Sequence, residues 1–94
     1  MRAMSNEDSP NAIANAVLAI KALDAGDTAA ALERISTAQL QSRTTARRRR
    51  QVVEIAALIV AGDRRRATGL ALIHAAEFPD DCELLARVTR TAPA

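Results

Sequence analysis

The tripeptide Ala25-Gly26-Asp27 recurs unchanged as Ala61-Gly62-Asp63, 36 residues further along the chain. Each copy lies between two stretches that are rich in Ala, Leu and Ile. Glycine ends a helix readily because it adopts positive φ, and an aspartate that follows it can cap the next helix. A period in the thirties is typical of stacked helical hairpins. The repeat therefore predicts two hairpins, each turning at a Gly-Asp corner.

Apolar residues at spacings of three and four predict an all-α fold of about five helices, and no stretch alternates as a strand would. The predicted helices run from Pro10 to Ala25, Thr28 to about Leu40, about Ala46 to Ala61, and Arg64 to about Glu77. Phe78-Pro79 is predicted to stop the fourth helix, and a fifth follows the Asp80 cap and runs to about Arg90. We expect Ser9 to cap the first helix and Thr44 or Thr45 to cap the third. Asp80 and Glu83 have the spacing of a capping box at the start of the fifth.

The third predicted helix is the most apolar, and its large side chains point in every direction around it. A helix that is apolar all round must be covered on most sides, so it belongs at the centre of the domain or meets another chain. The second and fourth helices each have one apolar face. These predicted faces contain Ala31, Leu32, Ile35 and Ala38 in the second helix and Ala67, Leu70, Ala71 and His74 in the fourth.

Length and composition suit one small domain. The chain has 94 residues, of which 49% are apolar but only 1% aromatic, so Leu, Ile, Val and Ala must build the core. We expect one helical domain over residues 9–91, a disordered tail at 1–8 and a frayed end at 92–94. A domain of this size buries a modest fraction of its surface, which favours association with a partner.

Cysteine content and the distribution of apolar residues indicate a compartment. Cys82 is the single cysteine, which is typical of a reducing environment. The first ten residues lack the apolar core of a secretory signal, and the longest apolar run is far shorter than the ~20 residues of a membrane span. The sequence therefore predicts a cytoplasmic protein with no membrane segment.

The two repeat units resemble tetratricopeptide repeats, which are helical hairpins of 34 residues. In the second unit, Gly62-Asp63 matches the turn of that family, Ala67 its small interhelix residue and Pro79 its terminal proline. The first unit has Gly26-Asp27, Ala31, Ile35 and Ala38 at corresponding places. The resemblance implies two stacked repeats closed by a capping helix, and a generic helical bundle is the alternative architecture.

The resemblance also implies a concave groove lined by the first helix of each hairpin and by the closing helix. By position, the predicted partner-binding residues are Ile13, Val17, Ile20, Leu23, Arg49, Val52, Val53, Ala56, Ile59, Arg87 and Arg90. This groove is mostly apolar, so a helical or extended segment of a protein partner is the natural occupant. The same Ile and Val side chains could instead be core, because two hairpins make a shallow groove.

The basic residues are concentrated in the middle of the chain. Residues 43–66 carry a net charge of +6, and the flanking segments 1–42 and 67–94 carry −2 each. Two arginine runs, Arg47–Arg50 and Arg64–Arg66, begin the third and fourth helices, where cations oppose the helix dipole. One hypothesis is phosphate or nucleic-acid binding, and a second is binding of an acidic protein partner. The alternative is pairing with acidic residues of the neighbouring helix ends: Glu7, Asp8, Asp80, Asp81 and Glu83 for the first run, and Asp24 and Asp27 for the second.

Residues that could carry catalysis are few. His74 is the single histidine and falls where the family packs a small residue, so we interpret it as a half-buried structural histidine. Cys82 has no second cysteine or nearby histidine to form a metal site. We therefore predict no enzyme, no cofactor and no metal site. The leading hypothesis is an adaptor or small scaffold subunit that binds a protein partner or another copy of itself. The alternatives are a nucleic-acid accessory protein and a purely structural subunit of a larger assembly.

Overall fold

A computed structural model describes residues 11–43 and 45–89. Five α-helices account for most of these residues, and no strand occurs among them, so the all-α prediction is confirmed. The elements are α1 (Asn11–Asp24), α2 (Thr28–Gln41), α3 (Arg47–Val60), α4 (Arg64–Glu77), a 3₁₀ turn (Pro79–Asp81) and α5 (Cys82–Thr89). The predicted start of the first helix at Ser9 and the two predicted terminal segments lie outside the described residues.

The helices form two stacked antiparallel hairpins, with α1 packed on α2 and α3 packed on α4. Ile13 near the start of α1, Arg49 near the start of α3 and Leu84 near the start of α5 line one hollow. These three helices therefore begin at the same end of the molecule. The two Gly-Asp corners, which end α1 and α3, lie together at the other end.

Both corners have the same backbone conformation, which explains the repeated tripeptide. Gly26 and Gly62 have φ of +84° and +86°, in the left-handed region that favours glycine. Hydrogen bonds from Asp27 N to Ala22 O and from Gly26 N to Leu23 O complete a Schellman motif. The second corner repeats this motif. The Asp27 carboxylate then accepts a hydrogen bond from Ala30 N at 3.1 Å, as an N-cap does.

Helix α3 lies at the centre of the domain, as predicted. It packs against α1, α2, α4 and α5, so that its apolar residues are covered on several sides. Its buried residues are Val52, Val53, Ile55, Ala56 and Ile59. The predicted face of α4 is also confirmed: Ala67 and His74 are buried, and Leu70 and Ala71 pack against the core.

Alanines, rather than the larger residues, form the tightest part of the first hairpin. The fully buried residues of α1 and α2 include Ala12, Ala16, Ala19, Ala31 and Ala38. Leu32, predicted to face inward, is 52% exposed, which corrects that prediction. Leu32 lies 100° round the helix from Ala31, at the edge of the face that Ala31, Ile35 and Ala38 bury, so its side chain points toward solvent.

Two predicted caps are not formed. Ala46, not Thr45, occupies the N-cap of α3, and its methyl side chain cannot accept the capping hydrogen bond. The Thr45 hydroxyl instead donates to Ser42 O at 2.8 Å. The other candidate, Thr44, lies outside the described residues. At the start of α5, the 3₁₀ turn replaces the predicted capping box, and its last residue, Asp81, is buried.

Candidate interaction surfaces

Five residues of the predicted groove lie in the core of the chain. Their exposed fractions are between 0 and 5%. They are Ile20, Val52, Val53, Ala56 and Ile59. They are covered because α3 is packed on several sides and α5 contacts α1, α3 and α4, so the open groove implied by the resemblance is partly filled. Direct contact of these five with a partner is therefore corrected to packing within the chain.

The other predicted residues keep accessible surface. Ile13, Val17, Leu23 and Arg49 are half-buried, and Arg87 is exposed. Arg90 lies outside the described residues. The residues predicted to line one broad groove therefore fall into two groups, one in the core and one on a narrower surface.

That narrower surface lies along the seam between α1 and α5. A hollow of about 470 Å³ is lined by Val17, Ile20, Lys21, Asp24 and Arg87. A second hollow of about 270 Å³ is lined by Ile13, Arg48, Arg49, Val52, Asp81 and Leu84. Each has apolar residues together with two cations and one carboxylate. We call the two hollows together the α1–α5 seam.

The first arginine run is largely used for contacts within the chain. Arg47 forms an ion pair with Glu77 at 2.9 Å, and Arg48 forms an ion pair with Asp81. Arg50 donates to the carbonyl of Thr45 at 2.7 Å. Asp81 is therefore a neighbour of this run, as predicted, and Glu77 is a partner that the sequence analysis did not name. Glu7 and Asp8 lie outside the described residues.

The second arginine run starts α4 and lies far from the first. Arg66 pairs with Asp63 of its own corner at 3.5 Å rather than with the predicted Asp24 or Asp27. Helix α3 has 14 residues and so is about 21 Å long. Because α4 returns antiparallel to α3, the two runs lie at opposite ends of the domain and do not form one basic patch.

A buried polar network joins α3, α4 and the 3₁₀ turn. His74 is fully buried, and its Nε2–H donates to Asp81 Oδ2 over 2.7 Å. Its Nδ1 lies 2.8 Å from Gln51 Oε1. Arg48 Nε donates to Asp81 Oδ2 at 2.8 Å, and a second Arg48 nitrogen donates to the other carboxylate oxygen. We call Arg48, Gln51, His74 and Asp81 the polar network.

The charge on Asp81 is stabilised by this network. The hydrogen bond from Arg48 lowers the pKa of Asp81 to about 2, against the opposing effect of burial. A further hydrogen bond from His74 acts in the same direction as Arg48. The hydrogen bond between Arg48 and Asp81 also raises the pKa of Arg48. The carboxylate therefore stays ionised while it is 5% exposed and holds the start of α5 against α3 and α4.

Phe78, the chain's single aromatic residue, packs on this network. Its ring centroid lies 4.8 Å from that of His74, and the Arg48 guanidinium lies over its face at 5.7 Å. His74 was expected to be half-buried, but the helix end and Phe78 enclose it fully. With both ring nitrogens in hydrogen-bonding distance of oxygens and no exposed surface, His74 stabilises the packing and has no access to a substrate.

The outward face of α4 carries apolar residues that no described element covers. Leu72 is 68% exposed and Ile73 is 54% exposed. Gly69 and Ala76, one turn to either side, are also exposed. These four residues have the spacing i, i+3, i+4, i+7, so they share one face of the helix. We call them the α4 outer stripe. The sequence analysis missed it because it examined only the opposite face of this helix.

Residues 11–43 and 45–89 contain no group of three or more His, Cys, Asp or Glu side chains arranged to hold a metal ion. Within the same ranges, every helix is too short or too polar to cross a membrane.

Comparison with models of known protein families finds no match, and comparisons with curated proteins and with solved structures also find none. The resemblance to tetratricopeptide repeats therefore stays a prediction, which rests on the corner residues and on the hairpin stack.

Proposed function

We propose that this chain is a protein-interaction module, an adaptor or small scaffold subunit with a tetratricopeptide-like stack, that binds a segment of a protein partner in the α1–α5 seam. The observation that carries the proposal is the composition of the two hollows. Four of the eleven residues predicted to bind a partner line the hollows and keep accessible surface: Ile13, Val17, Arg49 and Arg87.

The chemistry of the seam defines the partner segment. Val17 offers apolar contact in one hollow, and Ile13 and Leu84 offer it in the other. Each hollow has one more cation than carboxylate among its lining residues. A helical or extended segment with alternating apolar and acidic side chains complements both properties. Nucleic-acid binding by the two arginine runs has less support than this segment, because the first run already forms ion pairs with Glu77 and Asp81.

Affinity capture with matched variants tests this proposal. The wild-type chain is immobilised and exposed to nuclease-treated extract of its source cell, beside Val17→Asp and Arg87→Glu, and the retained proteins are identified. We expect one or a few proteins to be retained by the wild type and lost with both seam variants. Leu32→Asp, at an exposed apolar position of α2, is the matched control and should retain them.

Helix content and the thermal midpoint of each variant are measured first, so that a loss of binding is not a loss of folding. Proteins that are retained equally by the wild type and Val17→Asp would remove the seam from consideration. If retention disappears on nuclease treatment, the nucleic-acid hypothesis takes its place.

A further inference from the structure

Helix α4 is apolar on both of its faces, although only one face has a partner in the described structure. The inward face carries Ala67 and His74 against α3, and α4 also contacts α5 and the 3₁₀ turn. The α4 outer stripe lies on the opposite side and exposes Leu72 and Ile73 more than half. Adjacent large apolar residues at this exposure are typical of an interaction site.

The glycine in the α4 outer stripe is not needed for packing among residues 11–43 and 45–89. Gly69 lies in the interior of a helix, where glycine costs about 1 kcal/mol relative to alanine. A Cβ atom built on Gly69 would meet nothing within 4 Å, so no neighbouring helix of this chain requires its small size. The missing side chain does, however, leave the helix backbone open to close approach by a helix from outside.

The spacing of the stripe is self-complementary. If a second α4 lies antiparallel across the first, with the two-fold axis between residues 72 and 73, then Leu72 lies opposite Ile73 of the other copy. Gly69 then lies opposite Ala76 of the other copy. The large residues meet at the centre and the small residues meet on both sides, which suits closely packed helices.

The charges at the ends of α4 favour the same arrangement. Arg64, Arg65 and Arg66 begin the helix, whereas Glu77 ends it and Asp80 follows in the 3₁₀ turn. In an antiparallel pair the basic end of each copy lies beside the acidic end of the other, and Arg65 lies at the level of Asp80. A parallel pair would instead place like charges together at both ends.

We propose that two copies of this chain form a symmetric homodimer through antiparallel packing of their α4 outer stripes. This surface lies on α4, whereas the α1–α5 seam involves α1, α3 and α5, so the dimer does not depend on the proposed function. Its test uses the purified chain alone, and its failure would leave the partner-binding proposal unchanged.

Sedimentation equilibrium of the full chain, over about 0.01–1 mM, tests the dimer, since an interface of one helix pair is small and binds weakly. We expect the apparent mass to rise from 10.0 kDa toward twice that value with concentration. Leu72→Glu buries a charge in the contact and should raise Kd about 10-fold or more. Leu40→Glu, at a 64% exposed position of α2, is the matched control and should leave Kd unchanged.

A charge-exchange experiment tests the antiparallel direction. Arg65→Glu and Asp80→Arg should each weaken self-association, because each places like charges together at both ends of the pair. An equimolar mixture of the two variants restores opposite charges at both ends and should form a heterodimer with near wild-type Kd. Circular dichroism verifies that each variant is folded.

Four results would each contradict a part of the proposed dimer. A wild type that stays at 10.0 kDa over the whole range overturns the dimer, as does a Leu72→Glu variant that dimerises like the wild type. A change of Kd with Leu40→Glu as large as that with Leu72→Glu overturns the assignment to α4. A mixture of the charge variants that stays monomeric overturns the antiparallel arrangement.

Discussion

The two hairpins turn at the same corner but are held together by different chemistry. In the first, α1 packs on α2, and the fully buried residues of the two helices are mainly alanines such as Ala16, Ala31 and Ala38. In the second, α3 and α4 meet beside a polar network around His74 and Asp81. Close packing of small apolar residues requires only that their shapes fit. A buried polar network, by contrast, stabilises the fold only when each of its polar groups has a hydrogen-bond partner. The corner therefore sets the path of the chain, and each hairpin stabilises that path in its own way.

The largest expected effect comes from breaking the polar network at its centre. Asp81→Ala removes the acceptor shared by His74 and Arg48 and should lower the free energy of unfolding by about 3 kcal/mol, because the fully buried His74 loses its hydrogen-bond acceptor. Urea denaturation followed by circular dichroism measures the change. Asp80→Ala, at the exposed neighbouring acid, is the control and should stay within about 0.5 kcal/mol of the wild type. Equal effects of the two variants would contradict the central role of Asp81.

Overpacking the alanine contact should have a somewhat smaller effect. Ala16→Leu inserts a larger side chain where the exposed fraction is zero, and should lower the free energy of unfolding by about 2 kcal/mol. Ala14→Leu makes the same chemical change at an exposed position of the same helix and should be nearly neutral. The same urea titration reports both, and an unchanged Ala16→Leu would show that the first hairpin is loosely packed.

Acid should affect the network but leave the alanine contact unchanged. The pKa of Asp81 is lowered from its ordinary value of 3.8 to about 2 in the folded chain. This contribution to stability is therefore complete above pH 4 and is lost as the pH falls from about 4 to 2. It amounts to about 2 kcal/mol.

Urea denaturation between pH 2 and 6 measures this dependence. The control is Asp81→Asn, which has no carboxylate to protonate and should lose less stability over that range than the wild type. Parallel pH profiles for the two proteins would show that other acids cause the loss.

The smallest expected effects concern the glycines. Gly26→Ala and Gly62→Ala should each lower the free energy of unfolding by about 1 kcal/mol, because alanine is disfavoured at their positive φ. Gly69→Ala should raise it by about the same amount, since it improves helix propensity and its Cβ meets nothing. Thermal denaturation of dilute protein ranks the three variants. Unequal losses at the two corners would show that the hairpins differ there as well.

Features that depend on local chemistry could be predicted from the sequence. Gly26 and Gly62 followed by aspartate determine a turn and a cap within a few residues, so the corners were predicted correctly. The start of α4 was predicted from the second corner. The central place of α3 was predicted as well, because apolar residues on every side of a helix require cover from several neighbours. The caps at Thr45 and Asp80 were wrong because the helix boundaries differ: α3 starts one residue later, with Ala46 at its N-cap, and a 3₁₀ turn over Pro79–Asp81 precedes α5.

The candidate site could be predicted only in part. Whether Val52 and Ile59 lie in a groove or in the core depends on where α5 packs, which no local pattern determines. The polar network joins Arg48, His74 and Asp81 from three separate elements, so its only signal was the proximity of Asp81 to the first arginine run. The exposure of Leu32 follows from its place at the edge of the helical pattern, 100° round the helix from Ala31, which the sequence analysis counted as part of the buried face.

The paired corners also have an experimental use. Ala25 and Ala61 are exposed, precede glycines of matching geometry and lie at a common end of the molecule. Spectroscopic probes attached at these two positions would occupy equivalent sites, one on each hairpin. The distance between the two probes would report any sliding or spreading of one hairpin relative to the other.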